Sequence, residues 1–129
     1  MTNDEFLEQV IKDRITEVLD EFTDNDPITQ AKREGALTGL KLCKNKTSDE
    51  LSIILSTAIQ NTRRTFIALG KKEISILDYF RTKQYEDAIR WVCSCLSAKA
   101  LSEGQGLIIN PSQNAILKVT EILGTQIKG

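Results

Sequence analysis

The segment Thr82–Ser102, TKQYEDAIRWVCSCLSAKALS, decides the fold because it is apolar on nearly every side of a helix. One apolar set recurs at helical spacing: Tyr85, Ala88, Ile89, Val92, Cys93, Leu96 and Ala100. A second set, spaced i, i+4, i+7, faces away from the first and comprises Trp91, Cys95 and Ala98. A helix that is apolar all round is either central in its domain or buried at an interface. Both explanations remain open from the sequence.

Three segments before this one carry helical periodicity and signals for a helix start: residues 3–22, 27–43 and 48–69. Thr2 and Thr47 each stand three residues before a glutamate, which is the capping-box pattern. Asp26 precedes Pro27, which places a capping side chain before a proline at the first helical position. Gly70 is expected to end the third of these helices.

Two boundaries are less clear. Residues 75–81 form either a short helix of their own or the beginning of the helix that follows. Asn110-Pro111 repeats the pattern of a cap followed by proline and predicts the start of a last helix, which reaches Leu123. The intervening run Leu107–Ile109 favours an extended backbone, but it is too short and isolated to form a sheet.

These patterns predict an all-α protein, a compact bundle of about five helices. The short connection at residues 44–46 makes the second and third helices a central antiparallel hairpin. Residues 1–124 are expected to form a single domain and residues 125–129 a loose C-terminal tail.

Small residues recur every four positions on the second helix, at Ala31, Gly35 and Gly39. Glycine weakens a helix interior by about 0.8–1 kcal/mol relative to alanine. Two glycines on one smooth face therefore indicate a compensating feature, which is either a tight helix crossing or a ligand close to the backbone.

The composition argues against catalysis. The chain has no histidine, which removes histidine acid–base chemistry and nearly all common zinc sites. Its three cysteines, Cys43, Cys93 and Cys95, form no Cys-x-x-Cys pair and are expected to be buried thiols. We expect a protein that is not an enzyme and holds no metal or cofactor. The free thiols and the lack of a signal or membrane-spanning segment predict a cytoplasmic location without a membrane partner.

Charge is unevenly distributed along the chain. Residues 1–26 carry nine acidic and two basic side chains, whereas basic residues outnumber acidic ones by eleven to five between residues 32 and 83. In the predicted hairpin, Arg33, Arg63 and Arg64 come near one another, and three guanidinium groups can hold a phosphate. The alternative function is therefore anion binding, of a nucleotide signal or a nucleic acid. Pairing with acidic residues or simple solvation explains the same arginines.

Apolar residues that face away from the expected core predict association. On the third helix, Ile53 and Ile67 lie within about 40° of each other, opposite Leu51 and Leu55. Together with the Trp91, Cys95 and Ala98 stripe, they predict an interface between helices, and tryptophan is enriched in binding hot spots. The sequence thus favours a non-enzymatic adaptor or regulator that forms a homo-oligomer or binds another protein.

Overall fold

The computed structural model describes residues 1–124, and this part of the chain folds into five helices. They are α1 (Asn3–Glu21), α2 (Pro27–Leu42), α3 (Ser48–Gly70), α4 (Ile76–Ser102) and α5 (Gln113–Leu123). The prediction of an all-α bundle of about five helices is confirmed, and residues 1–124 contain no strand. The loose tail predicted at residues 125–129 lies outside the described residues.

Most helix starts follow the predicted signals. The side chains of Thr2, Asp26 and Thr47 each accept a hydrogen bond from the backbone N–H three residues later. Ser75 caps α4 in the same way, so residues 76–81 are the first turns of one 27-residue helix. Gly70 closes α3 in a helical conformation, and Lys72 adopts the left-handed conformation after it, with φ 61°.

The predicted start of the last helix at Asn110-Pro111 is wrong. Ser112 is the N-cap of α5, and its hydroxyl accepts a hydrogen bond from the N–H of Ala115. Residues 107–112 instead run along α4, where two serines bind their backbone N–H groups. The Ser97 hydroxyl accepts from Ile108 and Ile109 at 3.1 and 3.2 Å, and Ser94 accepts from Ser112 at 2.9 Å. These tertiary hydrogen bonds delay the start of the helix by two residues.

Helix α4 is the centre of the bundle. It contacts each of the other four helices. Eleven of its residues are buried, against five in α1, five in α2, three in α3 and two in α5. Of the two explanations for its apolar surface, the central position is therefore confirmed.

The neighbours of α4 run in defined directions. Helix α3 is antiparallel to it, since Leu51 lies beside Cys93 at one end and the ring of Phe66 packs at a tilt against that of Tyr79 at the other. Helix α2 is parallel to it, so α2 and α3 are antiparallel to each other as predicted. Each of them packs mainly on α4, however, and contact between α2 and α3 themselves is slight. The two helices of the hairpin therefore stand apart, and α4 packs along the gap between α2 and α3.

Gly35 and Gly39 explain how α2 comes so close to α4. A Cβ atom placed on Gly35 would lie 2.0 Å from the carbonyl oxygen of Arg81, and one on Gly39 would lie 2.7 Å from that of Tyr85. Both obstacles are backbone atoms of α4, which cannot move aside as a side chain would. The small-residue face predicted from the sequence is therefore a tight helix crossing.

We expect Gly35→Ala to destabilise the protein by about 1–3 kcal/mol or more, because overpacking against a backbone forces the two helices apart. In chemical denaturation, the urea midpoint of this variant should fall. Gly70→Ala is the matched control, since Gly70 is also helical and a Cβ there meets nothing within 4 Å. That change should leave stability unchanged or raise it by up to about 1 kcal/mol. Equal effects at both positions would contradict the tight crossing.

Candidate binding surfaces

The stripe predicted around Trp91 is mostly interior. Cys95 and Ala98 are 0 % exposed and belong to the core, so their assignment to a surface interface is wrong. Trp91 is partly buried, and the guanidinium of Arg14 lies 5.2 Å from the centre of its ring. The indole Nε1 is itself buried and has no hydrogen-bond partner within residues 1–124. Helices α1 and α5 and the segment before α5 thus cover the side of α4 on which this stripe lies.

Helix α3 presents the other predicted stripe, and here the side chains do face solvent. Ile53 is 69 % exposed and Ile67 is 57 % exposed. Among the helices, α3 packs substantially only against α4. Its buried residues are Leu51, Leu55 and Ala58. It is therefore an edge helix whose outer face no part of residues 1–124 covers.

Helical spacing places Phe66 on the same side of α3 as Leu55, which faces the core, but Phe66 is 63 % exposed. The reason is that the core ends before this residue. No residue between Ile59 and Tyr85 is buried, although Ile67, Tyr79 and other apolar residues lie in this range. We call residues 59–85 the α3–α4 arm. Periodicity correctly places Phe66 on the side of α4, but periodicity cannot tell where the supporting elements end.

The three arginines of the predicted anion site do not come together. Arg33 donates hydrogen bonds to the carbonyl oxygens of Phe22 at 2.7 Å and Asp24 at 3.0 Å, and so it holds the α1–α2 connection in place. Arg63 and Arg64 are adjacent in sequence, about 100° apart around α3. They therefore line different grooves on the two sides of that helix.

Arg64 lies in the groove between α2 and α3, which α4 closes from below. This cavity measures about 380 Å³, and its lining includes Arg81 together with hydroxyl and amide side chains from three helices: Thr38, Asn61, Thr65, Thr82 and Tyr85. Arg81 is already paired with Glu34 at 3.1 Å and Asp78 at 2.9 Å. No signal in the sequence identifies Arg81 as the second arginine of this groove, because its position there depends on the packing of its backbone against Gly35.

Arg63 lies in a second groove, on the side of the α3–α4 arm opposite to the groove of Arg64. Phe66 and Tyr79, whose ring centres are 5.9 Å apart, lie beside it. The floor of this groove holds Glu86, which is only 5 % exposed.

The Glu86 carboxylate accepts a hydrogen bond from Arg90 at 2.9 Å and lies 3.9 Å from Lys83. Burial raises the pKa of Glu86, but the hydrogen bond from Arg90 and the two positive charges outweigh it, so the net pKa is lowered. It is thus a satisfied ion pair in which the acid is held in its charged form.

The cysteines show no reactive character. All three are free and fully buried. Burial raises the pKa of the Cys43 and Cys95 thiols to about 12 and that of Cys93 to about 11. A thiol is nucleophilic only as the thiolate, so these three side chains remain unreactive near neutral pH. The expectation of buried thiols is confirmed.

Metal-ligating clusters and membrane-spanning helices are both absent from the described residues. Within residues 1–124, no three side chains of the metal-ligating types His, Cys, Asp and Glu are grouped so that they could hold an ion. None of the described helices combines the length and the hydropathy that crossing a membrane requires.

Comparison of the chain with family models, curated protein sequences and solved structures returned no match. The function of the protein is therefore inferred from the geometry of its own surfaces.

The ion pair of Glu86 should make the folding stability of the protein depend on pH. Because the pKa of Glu86 is lower in the folded than in the unfolded chain, its contribution to stability is present above the unfolded value near 4.5. It is lost as the pH falls through the folded value. Glu86→Gln should therefore lower the free energy of unfolding by about 1 kcal/mol at pH 7. The difference from the wild type should shrink as the pH falls from 5 to 2, as measured by urea denaturation. A difference that is constant over this range would show that Glu86 is not held charged.

Proposed function

We propose that this protein is a non-enzymatic binding and assembly protein, an adaptor or regulator, that self-associates through the outer face of α3. The observation that carries the proposal is the exposure of Ile53 and Ile67 on a helix with only three buried residues. The two isoleucines lie on the same face, about 21 Å apart along the helix, so that a second helix laid along this face covers both of them.

Burial energetics support this assignment. Full burial of an isoleucine side chain is worth about 1.5–3 kcal/mol. A two-fold contact buries each of the two isoleucines twice, once from each copy, which is enough to offset part of the cost of association. Trp91, Cys95 and Ala98 make no contribution to this interface, because they pack within the chain.

The absence of histidine and the unreactive thiols support a role without catalysis. Three unpaired thiols also suit a reducing compartment, so the proposal places the protein in the cytoplasm.

Self-association is tested by sedimentation equilibrium over a range of protein concentrations. The wild type should reach a dimer, whereas Ile53→Glu and Ile67→Glu should remain monomeric because each buries a charge at the contact. Leu117→Glu is the matched control, since Leu117 is 58 % exposed on α5, away from α3. It should dimerise like the wild type. A wild type that is monomeric at every concentration would refute the proposal.

A second candidate function is anion binding in the groove between α2 and α3. It is favoured by the two guanidinium groups and several hydroxyl groups that line one cavity of about 380 Å³, a volume suited to a small phosphorylated ligand. A nucleotide fits this volume, whereas a nucleic-acid chain would also need a longer basic track with stacking aromatic rings. Arg64 and Arg81 replace Arg33, Arg63 and Arg64 as the residues of this site.

Titration calorimetry with a panel of nucleotides tests this second function. If one binds, Arg64→Ala should weaken its binding at least tenfold, since a charge-assisted hydrogen bond contributes about 1.5–3 kcal/mol. Arg63→Ala is the control, because Arg63 is the next residue of the same helix but lines the opposite groove. An equal loss in both variants, or no binding by any nucleotide, would refute the site.

A further inference from the structure

The outer face of α3 has a symmetric pattern. Four exposed residues of α3 and its C-cap, Lys71, line up along this face, in the order Asp49, Ile53, Gln60, Ile67 and Lys71. At about 100° per residue they fall within a sector of about 40°. The two isoleucines stand seven residues on either side of Gln60, and the two charged residues stand eleven residues on either side. Positions at equal distances on the two sides of Gln60 are therefore either both apolar or of opposite charge.

From this pattern we infer that two copies of the protein dock α3 against α3 in antiparallel orientation, with the two-fold axis at Gln60. The inference rests on the proposed self-association and specifies its register. Ile53 of each copy then contacts Ile67 of the other, about 10 Å from the axis on either side. Asp49 of each copy faces Lys71 of the other, about 16 Å from the axis.

Charge explains why the orientation is antiparallel. A parallel pair would set Asp49 against Asp49 and Lys71 against Lys71, and it would bring Arg63 and Arg64 of both copies together. In the antiparallel pair, residues 63 and 64 lie opposite Thr57 and Ser56, which are small, exposed and uncharged. Neither Asp49 nor Lys71 has an ion-pair partner within residues 1–124, so both are available to a second copy.

The size of the face sets the strength of the contact. α3 is 23 residues long, about 35 Å, and the contact is one helix wide. A single helix pair with two isoleucine contacts belongs with the small interfaces that bury less than about 1,200 Å², which are typically transient. We therefore expect a reversible dimer with a dissociation constant in the micromolar range or above.

Disulfide trapping tests the register. In Gln60→Cys, the two introduced thiols meet at the axis and should form a covalent dimer under mild oxidation, because a disulfide needs Cβ atoms about 3.5–4.5 Å apart. The native thiols do not compete, since all three are buried. Leu117→Cys is the control and should cross-link far more slowly. In a mixture of Ile53→Cys with Ile67→Cys, the mixed dimer should exceed both homodimers.

Charge exchange gives an independent test. Asp49→Lys should raise the dissociation constant of the dimer about tenfold, because two attractive pairs become repulsive. Adding Lys71→Asp should return the constant to within about threefold of the wild type.

The outcomes separate the two claims. A dimer that forms in solution but does not cross-link at Gln60, or that the charge exchange fails to restore, would overturn the register while leaving self-association intact. A monomer at all concentrations would overturn both, and the stripe on α3 would then belong to a different protein partner.

Discussion

At Gly35 and Gly39, the backbones of α2 and α4 touch with no side chain between them. This close approach brings α2 onto one side of α4 and leaves the other sides to α1, α3 and α5. It also means that α2 and α3 meet α4 rather than each other, which opens the groove containing Arg64. The same arrangement leaves α3 at the edge of the bundle. Both candidate binding surfaces therefore depend on how closely α2 packs on α4 at these two glycines.

Polar side chains hold two parts of the bundle in place that the apolar core alone does not position, the segment before α5 and helix α5 itself. Ser94 and Ser97 lie on the central helix and bind the N–H groups of the segment before α5, which would otherwise be unsatisfied. Lys118 of α5 lies 3.2 Å from Asp13 and 3.3 Å from Glu17 of α1 and so ties the two outer helices together. Part of the acidic charge of α1 is thereby neutralised within the chain.

The sequence predicts the helices well because caps, periodicity and glycine spacing are local or nearly local signals. Thr2, Asp26 and Thr47 start helices as expected, and Gly35 marks a crossing as expected. The sites are predicted less well because they depend on which elements cover which faces. Periodicity places Trp91 and Ile53 equally far from their core stripes, yet α1 covers the first and nothing within residues 1–124 covers the second. The predicted arginine cluster does not form because Arg33, on α2, donates hydrogen bonds to backbone carbonyl oxygens of the preceding α1–α2 connection.

The position of the central helix in the chain has a consequence for synthesis. The element against which the other four helices pack is the fourth to leave the ribosome. Until residue 102 has been made, α2 and α3 lack the helix against which they mainly pack. At about 5–20 residues per second, the 60 residues from the end of α2 to the end of α4 take about 3–12 s to synthesise.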